Sequence, residues 1–479
     1  MGWIVIIHCL VFILFWLTNP GFHPAVNEFL TDATGQQLSF VTILIFFSLI
    51  IGLIYICLMI LKKHYPKLGL GGIIFPLSVA YLLFFYGSFI LLFLKNPVQV
   101  DRLVQIVQYF RIIVDTGVLL GIAMGIRKLT SHQSSPWKKW ILIFLPVFLG
   151  VIPIFWRPGA VLRGLLPERP LLIAHRGASF IAPENTIAAM EEAAHLGVYG
   201  VETDIFISKD GIPFLMHDAT LDRTTNVAEI YPKKVEEPAA NFKWDELARL
   251  NAGQWFVDQD PFGTIAAGEI SVQDIETFRQ EKIPTLRDLL DVVKSNNLWL
   301  IYDLRKTGGN HEYAGTPLDC FLAEILASGA EARTWFLADY EEMQQIQAEF
   351  PQATLAAGID YKEAPGPDEL VSAGYALVNS EYGISDRMIQ EYRNSGLWVN
   401  LWTVDEAWQY SRLWIQGVNS VTTNNILGLG GIREPLMVMT LPVFIGVWIL
   451  VWIFSILVTC SGILFKKNGW NSNAPITRD

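Results

Sequence analysis

Cysteine is scarce in this chain, with four residues among 479. Cys9, Cys57 and Cys460 fall inside long apolar runs, so Cys320 is alone in the hydrophilic part, and no Asn-x-Ser/Thr glycosylation acceptor occurs. These absences exclude a small scaffold held together by disulfides. The hydrophilic part must therefore be stabilised by its own hydrophobic core, and it is long enough to form one.

Charged residues are also few, at 17% of the chain, and the net charge is −11. Basic residues outnumber acidic ones before residue 158 and after residue 435, so the segment between them is strongly acidic. Such a segment repels nucleic acid and anionic lipid surfaces and concentrates cations. We therefore expect no nucleic-acid partner.

Apolar runs, in contrast, are long, and hydrophobic residues make up 52% of the chain. A spanning helix needs ~20 apolar residues. Six runs approach or exceed that length, at about 3–18, 40–61, 69–94, 103–126, 140–156 and 436–465. The first run also fits a signal peptide, but it lacks a basic n-region and a small-residue cleavage site. We predict a membrane domain with five transmembrane helices over 1–157, a linker over 158–170 and a sixth helix over 436–465.

The distribution of lysine and arginine in short loops predicts the orientation. Basic residues cluster after the second run, after the fourth run and in the C-terminal tail 466–479, at Lys62, Lys63, Lys67, Arg127, Lys128, Lys138, Lys139, Lys466, Lys467 and Arg478. These segments belong on the cytoplasmic side. We predict a multi-pass protein of the plasma membrane, with the acidic segment outside the cell and the C-terminus in the cytoplasm.

The acidic segment contains an ordered series of short polar motifs. They are His175-Arg176-Gly177, Pro183-Glu184-Asn185-Thr186, Glu202-x-Asp204, Lys209-Asp210-Gly211 and His217-Asp218. Each histidine follows an apolar run that predicts a buried strand, so both imidazoles are expected at strand ends. Glu202 and Asp204 alternate along a strand, which aims both carboxylates at one face, as a hard divalent cation requires.

The same residue types indicate phosphodiester chemistry. His175 and His217 are the candidate catalytic acid and base, because imidazole titrates near neutral pH, and their two roles stay open. The guanidinium of Arg176 can hold two phosphate oxygens at once. Its alternative role is an ion pair with Glu184.

This stretch resembles the glycerophosphodiester phosphodiesterase family, and the likeness extends over about residues 168–432. It continues in Leu250-Asn251-Ala252-Gly253, Ile283-Pro284-Thr285-Leu286, Asp303-Leu304-Arg305 and Trp402-Thr403-Val404. The arrangement of spans looks like the multi-pass membrane group of that family. The resemblance implies metal-dependent hydrolysis of glycerophosphodiesters, at the outer face of the membrane, to a phosphomonoester and an alcohol.

The resemblance also implies the site residues. They are the metal ligands Glu202, Asp204 and Asp303 for one Ca²⁺ or Mg²⁺, the catalytic pair His175 and His217, and the substrate-binding residues Arg176, Glu184, Arg305 and Trp402. Three departures stand out. The family's usual Glu-Ile-Lys is Asp303-Leu304-Arg305 here, its Asn after Trp-Thr-Val is Asp405, and its late Thr-Asp is Thr423-Asn424.

Strand and helix patterns alternate through residues 171–432, which predicts an α/β fold, a TIM (β/α)8-type barrel, and the resemblance implies the same fold. Nine strand candidates exceed the eight required, and we assign 375–379 to a position outside the barrel. The connection over 205–212 is too short for a helical crossover, so either the chain returns irregularly or a hairpin forms at Lys209-Asp210-Gly211. Residues 219–284 are predicted to form an inserted cap.

The candidate substrates are glycerophosphocholine, glycerophosphoinositol and glycosylphosphatidylinositol-type head groups. Two alternatives stay open, a lysophospholipase D that acts on membrane lysolipids and a catalytically inactive membrane scaffold or receptor. Eleven residues separate Asn424 from Leu436. On that spacing we expect the catalytic rim, at the carboxyl ends of the strands, to lie close to the membrane. The oligomeric state stays open.

Overall fold

The computed structural model describes residues 39–65, 111–130, 159–162 and 164–464, with isolated positions at 5, 6, 8–10, 13, 105, 109, 150, 151 and 153. The third predicted membrane run lies outside the described residues, as do most of the first and fifth runs and the tail beyond residue 464. The chain divides into two units, 1–103 and 104–479.

The described part of the first unit is mainly the helix Phe40–His64, which corresponds to the second predicted run. Its segment Thr42–Leu61 is long and apolar enough to cross a membrane. Val5 and Cys9 pack against Tyr55 of this helix.

The second unit is built on a closed barrel. Its strands are β1 (Val161–Leu162), β2 (Leu171–His175), β3 (Gly200–Ile207), β4 (Pro213–Leu215), β5 (Trp299–Leu304), β6 (Thr334–Leu337), β7 (Thr354–Ile359), β8 (Leu377–Glu381), β9 (Trp398–Trp402), β10 (Ser420–Thr423) and β11 (Met439–Thr440). Eight of them pair in parallel in the ring order β2, β3, β5, β6, β7, β8, β9, β10, and β10 pairs with β2 to close it. The predicted TIM-type barrel is confirmed.

The ninth strand candidate is β4, which lies antiparallel to β3 with Leu215 opposite Ile205. The turn between them is tight, because the Ser208 amide donates to the Ile212 carbonyl at 2.9 Å and Gly211 has a φ of 86°. The hairpin alternative at Lys209-Asp210-Gly211 is therefore the correct one. The assignment of 375–379 outside the barrel is wrong, since β8 lies between β7 and β9. A connection as short as 208–212 cannot provide the crossover that a parallel neighbour needs.

Helices surround the barrel, at Ile187–His195, Leu286–Ser295, Pro317–Ser328, Tyr340–Glu349, Pro367–Ala373, Asp386–Asn394 and Ala407–Gln416. Side-chain caps begin several of them, as at Thr285, whose hydroxyl accepts from the Asp288 amide. Such caps satisfy backbone N–H groups that have no partner within the helix. Strand and helix residues, among them Val201, Leu290 and Phe336, form a common core.

The segment between β4 and β5 forms short helices, at Val227–Ile230, Trp244–Leu247, Gln254–Gln259 and Val272–Phe278, and a 3-10 turn at Ala239–Asn241. Phe242 and Leu247 pack with Phe206 and Phe214 of the β3–β4 hairpin in a separate buried cluster. This packing attaches the segment to the hairpin that precedes His217.

Two long helices, Arg111–Thr130 and Leu441–Leu464, pack against each other, with Leu119 and Phe444 in one buried cluster. Both begin beside the barrel unit, where the Tyr109 hydroxyl donates to the Met437 carbonyl at 2.9 Å and β1 pairs with β11. Among the described residues, the segment Leu441–Thr459 is the second that is long and apolar enough to cross a membrane. The six-span topology stays a prediction.

The short helix Ile426–Gly430 carries the chain back from the end of β10. Arg169, just before β2, donates to the carbonyls of Leu429 and Gly430 at 3.0 and 2.9 Å. The chain then continues along the helix Ala407–Gln416, where the Leu436 amide donates to Ser411 Oγ at 3.0 Å and Met437 packs with Tyr109 and Trp408. The expectation that the catalytic rim lies close to the membrane stays a prediction.

Candidate active site

The polar mouth of the barrel lies at the carboxyl ends of β2, β3 and β5. Parallel pairing places His175 beside Glu202 and Asp204 beside Asp303. These four residues therefore share one end of the barrel, although 128 positions separate the first from the last. The pairing of neighbouring barrel strands brings these residues together, because residues in register on parallel strands lie side by side.

A left-handed turn follows His175. Arg176 and Gly177 have φ values of 57° and 80°. The turn points the Arg176 amide at Glu202, whose Oε2 accepts its hydrogen bond at 3.1 Å. Gly177 packs directly on the helix Ile187–His195, and a Cβ there would lie 2.7 Å from the Ala189 carbonyl carbon. Residue 177 must therefore be glycine, because its φ is positive and because there is no space for a Cβ.

Asp204 is the buried centre of the charged cluster. Its Oδ2 lies 3.2 Å from Arg176 Nε and accepts from Asn185 Nδ2 at 3.0 Å. Its Oδ1 contacts Arg305 Nη2, and the same nitrogen lies 3.3 Å from Asp303 Oδ2. Two guanidinium groups therefore pair with the carboxylates of Asp204 on β3 and Asp303 on β5. The ion pair of Arg176 with Glu184 also forms, at 3.0 Å.

Burial and mutual repulsion perturb the groups at the mouth. Burial, reinforced by the charge of Asp204, raises the pKa of Glu202 well above its ordinary value. Burial also raises the pKa of Asp303, against the opposing charge of Arg305. Burial and the charge of Arg176 lower the pKa of His175. Further positive charge at this end of the barrel would therefore favour the ionised carboxylates.

The donor set has the chemistry of a site for a hard divalent cation. Glu202, Asp204 and Asp303 supply carboxylate oxygens on adjacent strands, and such oxygens are the ligands that Ca²⁺ and Mg²⁺ prefer. Among the described residues, however, no three Asp, Glu, His or Cys side chains form a metal-ligand cluster. The guanidinium of Arg305 lies between two of these carboxylates, Asp204 and Asp303. The donor types fit a cation, and Arg305 competes with it.

His217 follows β4 and is oriented by its neighbour, since its Nδ1 lies 2.5 Å from Asp218 Oδ1. Arg223 holds Asp218 through Nε and Nη2 and binds both oxygens of Glu184, at 2.9 and 2.7 Å. Its guanidinium also lies 5.7 Å from the ring of Trp255. A continuous chain of charges thus connects His217 with Glu184 and, through it, with Arg176.

Trp402 lies at the same end of the barrel but away from the charged cluster. It ends β9, which is three positions from β3 around the ring. The residue is 39% exposed, and its backbone carbonyl accepts from the Tyr382 amide at 2.8 Å. The structure therefore brings together eight of the nine predicted site residues and places the tryptophan at the rim.

The sequence reasoning missed several residues that position the predicted ones. They are Ser179, Asn185, Arg223, Asp405 and Asn424. Asn424 Oδ1 lies 2.7 Å from His175 Nδ1 and accepts from Ser179 Oγ at 2.8 Å. Asn424 Nδ2 donates to Asp405 Oδ2 at 2.7 Å. The available signal was in the departures from the family pattern, because Asp405 and Asn424 are two of them and they are in direct contact.

A closed parallel barrel with imidazoles, carboxylates and guanidiniums at the carboxyl ends of its strands defines the class of (β/α)8-barrel proteins, whose active sites lie at that end. Within this class, residues 175–427 match the sequence model of the glycerophosphoryl diester phosphodiesterase family. The chain belongs to that family, whose name describes hydrolases.

Curated relatives extend the likeness. Glycerophosphodiester phosphodiesterase domain-containing protein 5 of Gallus gallus is 34% identical over 67% of this chain and 53% of its own length. The glycerophosphoinositol inositolphosphodiesterase of Mus musculus is 32% identical over 70% of this chain and 61% of its own length. The chain thus spans little more than half the length of these relatives. A solved phosphodiesterase of Oleispira antarctica is 22% identical, with a TM-score of 0.42 over 55% of this chain and 96% of its own.

Proposed function

We propose that the chain hydrolyses glycerophosphodiesters to a phosphomonoester and an alcohol, with a divalent cation, at the outer face of the plasma membrane. One observation carries the proposal. Two oriented imidazoles, His175 and His217, lie at the same barrel mouth as the carboxylates of β3 and β5 and the guanidiniums of Arg176 and Arg305. A phosphodiesterase needs these groups for proton transfer and for binding phosphoryl oxygens.

The two histidines supply proton transfer. His217 is bound through Nδ1 to Asp218, and His175 through Nδ1 to Asn424. In each ring Nε2 is then the atom left for the substrate, and His175 Nε2 lies 3.8 Å from Glu202 Oε2. One ring removes a proton from the attacking hydroxyl, and the other protonates the leaving alkoxide.

The guanidiniums of Arg176 and Arg305 bind the phosphoryl oxygens. In both residues the buried Nε lacks a hydrogen-bond acceptor in the described part of the chain, although Arg176 Nε pairs in charge with Asp204. Guanidinium donors without acceptors favour an incoming anion. A phosphodiester supplies such oxygens.

The carboxylates Glu202, Asp204 and Asp303 would hold the cation. A divalent cation at this position supplies charge stabilisation of the phosphoryl oxygens. Its binding requires that Arg305 releases Asp204 and Asp303. The elevated pKa values of Glu202 and Asp303 support this assignment, because both carboxyls gain from a nearby positive charge.

The two helices of the second unit support the proposed orientation. Arg111–Thr130 and Leu441–Leu464 begin beside the barrel, and Arg127 and Lys128 lie at the far end of the first. Basic residues mark the cytoplasmic end of a span. This arrangement supports an extracytoplasmic barrel and a cytoplasmic C-terminus.

The name of the mouse relative makes glycerophosphoinositol a candidate substrate, beside glycerophosphocholine and glycosylphosphatidylinositol-type head groups. A second candidate function is lysophospholipase D activity. It is favoured by the apolar helix Leu441–Leu464, which packs within the same unit as the barrel and would keep the protein among membrane lysolipids.

The test uses the whole protein in detergent, with glycerophosphocholine, glycerophosphoinositol and lysophosphatidylcholine as substrates, each with and without a chelator. We expect hydrolysis that the chelator abolishes and that added Ca²⁺ or Mg²⁺ restores. His175→Ala and His217→Ala should each lower kcat roughly 100-fold or more. His195→Ala is the control, because that side chain is 76% exposed on a surrounding helix.

The possible results separate the alternatives. Hydrolysis of the lysolipid alone would establish the second candidate function. Folded protein that hydrolyses none of the three substrates would support the scaffold or receptor alternative. Hydrolysis that the chelator leaves unchanged would contradict the proposed metal dependence, whereas the proposed hydrolase activity would still be supported.

A further inference from the structure

We infer that Asp405 and Asn424 form a positioning pair that fixes which nitrogen of His175 carries the proton. The inference rests on the proposed function, in which His175 transfers a proton. Its basis is the chain of hydrogen bonds from Asp405 through the amide of Asn424 to His175 Nδ1. In the described part of the chain, the hydrogen bonds of the Asp405 and Asn424 side chains go to residues other than the proposed metal ligands.

The direction of each hydrogen bond follows from elementary chemistry. A carboxylate oxygen only accepts, so the atom of Asn424 that lies 2.7 Å from Asp405 Oδ2 must be its NH₂ group. The amide oxygen of Asn424 then faces His175 Nδ1 at 2.7 Å and Ser179 Oγ at 2.8 Å. An amide oxygen also only accepts. His175 therefore carries its proton on Nδ1, and Nε2 keeps a lone pair.

Asp405 is itself held firmly. Its Oδ1 accepts from the backbone N–H of Asn424 at 2.8 Å and from Thr423 Oγ1 at 3.1 Å. Its backbone carbonyl accepts from Asn425 Nδ2 at 3.0 Å. The loop after β9 and the end of β10 thus hold one carboxylate in place, and that carboxylate determines the orientation of the amide.

The consequence lies at the reacting side of the ring. With Nδ1 protonated, Nε2 faces the barrel mouth as an acceptor beside Glu202. The opposite tautomer would present an N–H there and could not accept a proton from the attacking hydroxyl. Asp405 acts through Asn424, so we assign it as a positioning residue.

Exchanging the two residues tests the inference, because the exchange reverses which position carries the carboxylate and which carries the amide. The hydrogen bond between the two side chains and the acceptor for His175 Nδ1 are both kept. Asn424→Asp alone places two carboxylates against each other, and Asp405→Asn alone removes the group that orients the amide. In the double variant Asp405→Asn with Asn424→Asp, the new carboxylate accepts from His175 Nδ1 and the new amide donates to that carboxylate. We expect each single variant to lose roughly 10- to 100-fold in kcat with KM little changed, and the double variant to recover to within a few-fold of wild type.

A matched control is Asn419→Asp, the same substitution just before β10. Asn419 Oδ1 accepts from the Val399 amide and from Arg393, and a carboxylate can keep both bonds. This variant should keep the wild-type kcat. Single-variant losses that simply multiply in the double variant would show that the two positions act independently, and they would overturn the inference.

A spectroscopic readout separates this inference from the proposed function. In ¹⁵N-histidine-labelled whole protein, ring shifts assigned with His175→Ala should show the Nδ1-protonated tautomer of His175 in the wild type and in the double variant. This measurement needs no turnover, so it is decisive even if no substrate is hydrolysed. A wild-type ring protonated on Nε2 would overturn the inference, whatever the activity assay shows.

Discussion

Arg305 folds back over Asp303, two residues earlier on the chain, with its Nη2 atom 3.3 Å from Oδ2 of that carboxylate. The same nitrogen contacts Asp204 on the neighbouring strand. One guanidinium thus serves as the internal counter-ion for two of the three carboxylates proposed to hold a cation. In this arrangement a divalent cation and Arg305 compete for the same oxygens.

The first prediction follows from that competition. Arg305→Gln removes the competing charge, so Ca²⁺ or Mg²⁺ should bind about tenfold more tightly, or about 1.4 kcal/mol, in calorimetric titrations of chelator-treated protein. The control is Arg333→Gln, the same charge change at the opposite end of the barrel, where the guanidinium stacks 5.6 Å from the Trp299 ring. Equal or weaker binding by the Arg305 variant would show that the guanidinium does not compete.

The second prediction concerns Arg223, which connects His217 to Glu184 through Asp218. Arg223→Met leaves the buried Glu184 carboxylate short of two hydrogen bonds, at a cost of about 2 kcal/mol in the free energy of unfolding. It should also lower kcat roughly tenfold, because His217 loses its fixed orientation. Both effects can be measured in detergent, by denaturant unfolding and by steady-state hydrolysis.

A matched control for this variant is Arg279→Met. Arg279 is equally exposed, at 40%, and pairs with Asp258 at 2.7 Å on the same inserted segment. Exposed pairs of this kind contribute about 0–1 kcal/mol, and this one does not connect to the barrel mouth. If both arginine variants behave alike, Arg223 does not position the site.

The third prediction is a pH dependence. Hydrogen bonds from His217 and Arg223 hold the pKa of Asp218 below its ordinary value. Burial alone would raise the pKa of Glu184, but the hydrogen bonds and charges of Arg223 and Arg176 outweigh it and lower that pKa. Both carboxyls therefore bind fewer protons in the folded state than in the unfolded state.

The sign of the effect follows from this difference in proton binding. The stability that these carboxyls contribute is present above their unfolded pKa of ~4 and is lost as the pH falls through their folded pKa values. The stability difference between wild type and Arg223→Met should be largest above pH ~5 and shrink as the pH falls below ~4. Unfolding curves at a series of pH values measure it, and a constant difference would contradict the assigned ion pairs.

Local sequence patterns predicted where the strands of this fold lie better than they predicted which strands pair with each other. The alternation of Glu202 and Asp204 and the apolar run before His175 are properties of a few adjacent residues, and the strands that they predict are present. The assignment of β4 failed because its sequence is as apolar as that of a barrel stave. Its antiparallel pairing depends on the length of the connection before it, not on its composition.

Sequence periodicity could not predict the contacts between residues that are far apart along the chain. Arg223 binds Glu184 across 39 positions, and His175 meets Asn424 across 249. Such pairs form because the barrel closes β10 onto β2 and because the inserted segment packs on the hairpin. The sequence indicated which residues carry chemistry, whereas the closed fold determines which residues orient them.

The last prediction concerns the backbone under the site. Gly177→Ala and Gly197→Ala both place a Cβ on a residue with positive φ, 80° and 72°. At Gly197 no heavy atom lies within 4 Å of the added Cβ, so conformational strain of about 1 kcal/mol is the whole expected cost. At Gly177 the Cβ would lie 2.7 Å from the backbone of Ala189, which adds about 1–3 kcal/mol of overpacking.

Function should distinguish the two glycine variants more sharply than stability does. Relieving the clash at residue 177 has to move the turn that points the Arg176 amide at Glu202. Gly177→Ala should therefore lower kcat, whereas Gly197→Ala should keep it, as measured by steady-state hydrolysis on protein shown to be folded by near-UV circular dichroism. Equal activity of the two variants would mean that the barrel mouth tolerates displacement of this turn and that the hydrogen bond from the Arg176 amide to Glu202 is not needed for hydrolysis.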